Sequence, residues 1–181
     1  HPGGQEAAGI ARSPPPHGST RPRRFGYVRD NFTKAEVMDT LPGSLSIGHV
    51  RYSTAGSKGA TAIRDVQPFF GEFSMGGAAI AHNGNLTNGL TLRKQLVHEG
   101  AIMQSTTDTE VMLHLVARSK KPRFVDRFIE GLRALEGAYS FVGLTNKKLV
   151  GARDPLGIRP LVLGQLDGCP ILTSETCALD I

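Results

Sequence analysis

The residues of this 181-residue chain best suited to chemistry on a small polar molecule are an arginine, an aspartate and an asparagine-glycine pair. Arg51 stands in Gly48-His-Val-Arg-Tyr-Ser-Thr54, where an alternating stretch ends, and strand ends with their loops commonly hold ligand-binding groups. Its planar guanidinium can donate two parallel hydrogen bonds to a carboxylate; taken alone, a surface ion pair is the plainer role. His82-Asn83-Gly84-Asn85 closes a second apolar stretch. Asn-Gly tolerates the positive φ of a tight turn, which is the plainer reading without context. The sharper reading is an oxyanion hole, because the Asn83 amide and the Gly84 N–H can both point at one developing negative oxygen. Asp108 lies in Thr107-Asp-Thr-Glu110, which has the form of a capping box; it can complement a positive helix terminus or supply an anion to a ligand. An arginine for a carboxylate, an aspartate for an ammonium and paired donors for a reacting oxygen match a free amino acid attacked at a side-chain carbonyl. His49, His82, His98 and His114 have no metal-site spacing and no evident carboxylate partner, so packing or surface roles are expected of them.

The elements that must position these groups are legible from periodicity. Thr33 and Glu36 form a capping box that predicts a helix to about Leu41, stopped by Pro42-Gly43. Leu45 to Val50 alternates and Gly77 to Ala81 is a short apolar run, so both read as strands with a buried face. Helices are expected at about Asn88 to Glu99, Asp108 to Ser119 and Phe124 to Leu135, the last with Val125, Phe128, Ile129 and Leu132 on one stripe. Strands return at Ala138 to Leu144, Lys148 to Ala152, Pro160 to Gly164 and Ile171 to Thr173. Strands, clustered helices and then hairpin-spaced strands indicate an α+β layered domain without internal repeats.

Composition narrows the class. A chain of this length is suited to one globular domain, and it has neither an apolar run long enough for a bilayer nor a secretion-signal pattern at its start. A soluble protein of the cytoplasm is expected, with no membrane partner. Two cysteines, Cys169 and Cys177, make no disulfide framework. The net charge of +5 concentrates at Arg21, Arg23, Arg24 and Arg29, after a Pro-rich stretch and on no nucleic-acid module. A solvated loop is expected there, with no nucleic-acid partner. Phosphate binding by this stretch is the competing reading, in which neutralising Arg21, Arg23 and Arg24 would abolish a salt-dependent shift of DNA.

The motifs GQEAAG (Gly4 to Gly9), GHVRYST (Gly48 to Thr54), IAHNGNLTN (Ile80 to Asn88), STTDTE (Ser105 to Glu110), EGAYS (Glu136 to Ser140) and ARDPLGIRPLVLG (Ala152 to Gly164) occur in that order. Together they resemble the class II glutamine amidotransferase (glutaminase) domain of the phosphoribosylpyrophosphate amidotransferases, or amidophosphoribosyltransferases, over nearly the whole chain. HNGN and the arginine motif also resemble amidotransferases that make glucosamine phosphate or asparagine, whereas ARDPLGIRPL followed by SETCALD is similar to the purine enzyme specifically. The resemblance implies an N-terminal-nucleophile hydrolase fold, two stacked antiparallel sheets between helical layers. It implies that an N-terminal cysteine thiolate attacks the glutamine amide, with its own α-amino group as base, releasing ammonia through a thioester. By motif position Arg51 holds the glutamine carboxylate, Asp108 its ammonium, Asn83 and Gly84 the oxyanion, and Tyr52 and Thr54 line the pocket. The ammonia passes to a phosphoribosyltransferase domain that forms phosphoribosylamine in purine synthesis.

The chain departs from that pattern at both ends. The family begins with Cys-Gly-Ile ahead of a helix and a His-Arg-Gly-Gln motif, but this sequence starts at His1-Pro-Gly-Gly-Gln5. The expectation is a chain truncated at both ends, with residues 1–24 a poorly matched loop, 25–181 the amidotransferase domain, and the phosphoribosyltransferase domain absent. Such a chain lacks its nucleophile and is expected to be inactive as a glutaminase; a non-catalytic glutamine-binding or interaction remnant is the alternative. No cofactor is expected within these residues. The resemblance implies Mg²⁺ in the phosphoribosyltransferase domain, homo-oligomers of the complete protein, and Cys177, within SETCALD, as the first ligand of a four-iron cluster. One cysteine cannot hold such a cluster.

Overall fold

The computed structural model describes residues 5–13, 22–52 and 63–179. Nine strands and five helices are present among them. The strands are β1 (Gln5–Ser13), β2 (Arg23–Phe25), β3 (Leu45–Tyr52), β4 (Phe69–Phe73), β5 (Gly76–Leu86), β6 (Gly137–Thr145), β7 (Leu149–Arg153), β8 (Val162–Leu166) and β9 (Cys169–Thr173). The helices are α1 (Val28–Asn31), α2 (Ala35–Asp39), α3 (Gly89–His98), α4 (Thr109–Arg118) and α5 (Phe124–Arg133). They build three antiparallel sheets, ordered β2-β1-β3, β4-β5-β6-β7 and β8-β9. The α+β layering expected from the sequence is present.

Alternation along β5 divides the core. Ala79 and Ala81 turn toward the first sheet and pack with Ala11, Ile47 and Leu144. Ala78 and Ile80 turn the other way, toward Met112 and Val116 of α4 and Phe124 and Phe128 of α5, with Tyr139 and Phe141 beside them. The order is therefore helices, second sheet, first sheet. Small side chains between the sheets let their backbones approach closely, while aromatic residues fill the wider gap to the helices. Ser46 and Gly48, on the opposite face of β3, are exposed.

Several expectations change. The stretch expected to be loop before residue 25 contains β1, paired to β3, and most of β2, paired to β1. Small residues explain it: Ala7, Ala8 and Ala11 are buried, and a side chain at Gly9 would meet the Gln67 carbonyl oxygen at 2.2 Å. The basic stretch is partly consumed by the fold, since Arg23 donates to the Pro68 carbonyl at 3.1 Å and covers the Phe69 ring. Arg21 lies outside the described residues. The capping box at Thr33 does not form: α2 starts at Ala35, and the Thr33 hydroxyl donates to the Arg29 carbonyl at 2.5 Å instead. On α5 the buried side is Phe124, Phe128 and Gly131, with Ile129 exposed, because Gly131 is pressed against the Met112 sulfur of α4.

Candidate active site

β5 does not end before His82-Asn83-Gly84-Asn85; it runs through to Leu86, so the tight-turn reading is wrong. These four residues pair with Phe141, Ser140, Tyr139 and Ala138 of β6. Gly84 takes a φ of +147°, and a Cβ there would meet the Ala138 carbonyl oxygen at 2.1 Å, so close approach to β6 requires glycine.

β4, on the other side of β5, stops early. Its Phe69 pairs with Ile80, and among the described residues no strand continues it alongside residues 82 to 86. In an antiparallel ladder alternate residues turn their N–H and C=O groups to the same side. Ile80, His82 and Gly84 form such a series, and the groups of His82 are taken up by the Gln67 side chain, which receives its N–H at 2.7 Å and donates to its carbonyl at 3.2 Å. Gly84 follows the same phase. Its partner across β6, Tyr139, directs its own backbone groups at Asp154, donating to the carboxylate at 3.3 Å and accepting from the Asp154 N–H at 2.8 Å. The Gly84 N–H is thereby turned into the space vacated by β4.

Asn83, the residue before Gly84, lies on the face of β5 that looks toward the first sheet. Its Oδ1 accepts from the Arg159 guanidinium. Since a guanidinium can only donate, the atom facing it must be the amide oxygen, and Nδ2 is left to donate elsewhere. Arg159 is anchored in turn: the buried Asp154 carboxylate accepts the N–H of Arg159 and of Ile158, each at 3.0 Å. Hydrogen bonds from the Arg159, Ile158 and Tyr139 amides hold the Asp154 carboxyl below its ordinary pKa despite desolvation.

Asp108 approaches the same part of β5 from the helical layer. It is the N-cap of α4 but makes no side-chain cap; Oδ2 accepts the Leu86 N–H at 3.0 Å and Oδ1 lies 3.4 Å from His82 Nδ1. Burial disfavours its charge, but the contacts with His82 and the Leu86 amide outweigh it, and its pKa falls below the usual value. The loop before it is held by acidic side chains. Glu110 accepts the amides of Gln104 and Ser105 at 2.7 and 2.8 Å, and Asp65 accepts the Thr106 amide at 2.8 Å. Glu110 thus serves this loop and closes no capping box with Thr107.

Arg51 comes from the first sheet, near the end of β3, paired across β1 with Ala7. Its Nε is buried without a hydrogen bond and lies 3.8 Å from a Glu6 carboxylate oxygen, so the ion pair expected of it is present but loose. Two residues earlier, His49 Nε2 lies 3.1 Å from the His82 carbonyl oxygen and joins the two sheets at the site. Tyr52 is largely exposed, and Thr54 lies outside the described residues. Cys169 and Cys177 are exposed, on β9 and on the 3-10 turn Thr176–Leu179, away from β5 in the chain. Among the described residues no group of three or more His, Cys, Asp or Glu could hold a metal.

The structure thus brings Asn83, Gly84 and Asp108 together around residues 82 to 86 of β5, and places Arg51 on β3 two residues beyond His49, whose ring reaches the His82 carbonyl. Sequence reasoning missed His82 as a link, since its carboxylate partner comes from another layer; the ring is stacked 4.4 Å from Phe141. It also missed Asp154 and Arg159, which lie in the quoted motif ARDPLGIRPLVLG but have no periodicity or spacing of their own.

A family model described as a glutamine amidotransferase domain matches residues 51–180, which include Arg51, Asn83, Asp108 and Arg159. The chain belongs to the glutamine amidotransferase domain family. It is 57% identical over 178 residues to the amidophosphoribosyltransferase of Rhizobium etli, covering 98% of this chain and 35% of that protein. It is 46% identical to the chloroplastic amidophosphoribosyltransferase 1 of Arabidopsis thaliana, over 98% of this chain and 31% of the relative. The solved glutamine phosphoribosylpyrophosphate amidotransferase of B. subtilis, complexed with ADP and GMP, superposes with a TM-score of 0.83 at 37% identity, over 98% of this chain and 37% of that one. A second structure, described as the allosteric regulatory enzyme of purine biosynthesis, gives 0.86 at 39%, again over 98% and 37%. The amidotransferase domain resemblance and its N-terminal-nucleophile hydrolase fold stand on these findings. The chain spans about a third of the length of these relatives. One of them is chloroplastic, so the family does not fix a cytoplasmic location; no helix among the described residues is long and apolar enough to cross a membrane.

The bridge between the sheets has a measurable consequence. Burial lowers the His49 pKa from 6.5 to about 4, against the raising effect of its bond to the His82 carbonyl and with help from the charges of His82 and Arg51. The folded protein therefore refuses a proton that the unfolded chain accepts, so stability is complete above pH 6.5 and is lost as pH falls toward 4. The loss from His49 is on the order of 3 kcal/mol, and His114, whose pKa is also lowered by burial, adds a contribution of the same sign. Urea unfolding across pH 7 to 4 should show this slope in the wild type and a much flatter one in His49→Gln, whose amide can still reach the His82 carbonyl. An unchanged slope in the variant assigns it to other groups.

Proposed function

We propose that these residues form the glutamine-binding and oxyanion-stabilising half of an amidophosphoribosyltransferase glutaminase. The observation that carries the reading is the pair of donors on β5, the Gly84 N–H turned into the space beyond β4 and Asn83 Nδ2 freed by the contact of Oδ1 with Arg159. Arg51 holds the glutamine carboxylate, exchanging its loose pairing with Glu6 for a bidentate one. Asp108, held ionised, receives the ammonium. Tyr52 and Thr54 line the pocket, as the family resemblance implies. The carbonyl oxygen of the side-chain amide becomes an oxyanion when a thiolate attacks, and the two donors receive it. The carbon–nitrogen bond then breaks, ammonia leaves with the proton held by the base, and water hydrolyses the thioester to glutamate.

The released ammonia serves a phosphoribosyltransferase domain that uses Mg²⁺ and phosphoribosylpyrophosphate to make phosphoribosylamine for purine synthesis, in a homo-oligomer with no nucleic-acid or membrane partner. The cytoplasm, which keeps thiols reduced, is the compartment proposed for it. In a complete enzyme, Arg51→Ala and Asp108→Ala should each remove most glutamine-dependent activity and spare activity with added ammonia. Asn83→Ala should lower turnover by about a hundredfold to a thousandfold with little change in KM. Equal losses with both nitrogen donors, or a purely raised KM for Asn83→Ala, reject these roles.

The attacking thiolate is proposed to come from outside these 181 residues. Cys169 and Cys177, the two cysteines present, are exposed on the β8-β9 hairpin and the turn after it, and neither carries a free α-amino group to act as base. The isolated 181-residue chain should therefore form no glutamate from glutamine above a heat-killed control. Turnover that survives Cys169→Ser and Cys177→Ser would require a different nucleophile and overturn this mechanism.

Cys177 is proposed as an iron–sulfur ligand only in company with cysteines outside these residues, since the described residues do not form a cluster site by themselves. Anaerobically prepared complete enzyme should contain iron and absorb in the visible, and Cys177→Ser should lose both. A colourless, iron-free wild type leaves Cys177 as an ordinary surface residue.

A further inference from the structure

Arg159 takes no part in the chemistry proposed above, yet its guanidinium donates to the Asn83 carboxamide. Among the described residues it has no ion-pair partner, and its Nε is buried without a hydrogen bond. A partly buried, incompletely paired charge carries a desolvation cost unless something offsets it. The carboxylate of its own loop, Asp154, does not neutralise it, because those oxygens accept backbone amides at Tyr139, Ile158 and Arg159.

We propose that Arg159 is a positioning residue for the oxyanion hole. It holds the Asn83 carboxamide in the one orientation that turns Nδ2 toward the attacked carbonyl, and it keeps a positive charge beside the oxygen that becomes negative. The inference rests on the oxyanion reading of Asn83 and deepens it. The terminal torsion of an asparagine side chain is broad and nearly twofold, so an unrestrained amide can present either its oxygen or its nitrogen. Presenting the oxygen would repel an oxyanion; a donor-only neighbour removes that choice.

The contacts close a ring. Gly84 pairs with Tyr139, Tyr139 exchanges hydrogen bonds with Asp154, Asp154 fixes the Arg159 backbone, and Arg159 returns to Asn83 beside Gly84. Both oxyanion donors are thereby referred to one loop, which turns at Gly157 with a φ of +65°. A side chain at Gly157 would meet the Arg153 guanidinium at 2.1 Å.

The test uses a complete amidotransferase containing this domain and its catalytic cysteine, with kcat and KM for glutamine hydrolysis measured for Asn83→Ala, Arg159→Met, Arg159→Lys and the double variant Asn83→Ala/Arg159→Met. Arg159→Met should lower kcat by about tenfold to a hundredfold and leave KM within about threefold. Arg159→Lys, which keeps a donor and a charge, should recover part of the loss. The double variant should turn over no more slowly than Asn83→Ala alone, because Arg159 acts through Asn83. Thermal unfolding of each variant reports folding; should Arg159→Met not fold, Arg159→Gln replaces it against Arg159→Lys, with the same expected order. Losses that multiply in the double variant, an unchanged kcat, or a change confined to KM overturn the role of Arg159. If Asn83→Ala keeps full turnover, the oxyanion reading itself has failed and Arg159 loses its role with it.

Discussion

The site depends on two neighbouring strands having different lengths. β4 ends its pairing with β5 at Ile80, whereas β6 accompanies β5 to Leu86. Past that point every second residue of β5 presents a backbone donor and acceptor to a side where, among the described residues, no strand continues. Unpaired buried backbone groups are rare because each costs free energy comparable to a lost hydrogen bond. One such residue, His82, is satisfied by the Gln67 side chain acting as a substitute strand. The next, Gly84, is left open. A half-finished ladder thus yields a rigid donor, held by β6 at its back and free in front, which is what preorganised stabilisation of an anion demands.

The second donor is a side chain and needs separate immobilisation. Asp154 and Arg159 provide it at the far end of β7, where the Asp154 carboxylate accepts the Tyr139, Ile158 and Arg159 amides, which lower its pKa. Charge follows the same logic at Asp108, where His82 and the Leu86 amide stabilise the ionised form although the group is partly buried. His82 is therefore shared: its backbone closes the open edge of β5, and its ring carries the polar contact from β5 to α4.

The elements were legible in the sequence wherever burial follows a simple period. α3, α4 and α5 and the strands β3 and β6 to β9 fall within a few residues of where alternation and amphipathicity put them, whereas β5 runs well past its expected end and β4 was not expected at all. Misreadings have identifiable causes. Asn-Gly has strong turn chemistry, but the pairing of β5 with β6 holds Gly84 extended at a positive φ, so long-range pairing overrode the local preference. Thr33 and Thr107 match a capping box by spacing, yet Thr33 bonds back to Arg29 and Glu110 serves the loop at Gln104 and Ser105. β1 is made of small residues whose reason for burial, a close approach of Gly9 to Gln67, is not visible one-dimensionally. Arg51, Asn83, Gly84 and Asp108 were recognisable as residue types, but only the layers bring Asp108 to the strand of Asn83 and Gly84 and set Arg51 close to His49 on the facing sheet.

Each layer contributes one part of the proposed site: Arg51 from the first sheet, Asn83 and Gly84 from the second, and Asp108 from the helices. Their spacing is set by what lies between the layers. Ala11, Ala79 and Ala81 fill the inter-sheet space near β5, and His49 spans it by a hydrogen bond to the His82 carbonyl. A larger side chain at Ala79 or Ala81 would push β3 away from β5, and overpacking of this kind strains neighbouring backbone as well as the substituted residue. Arg51 would move with β3 while Asp108, tied to β5 through Leu86 and His82, would stay. The distance between Arg51 and Asp108 is therefore a property of the packing between the sheets as much as of the charged residues themselves.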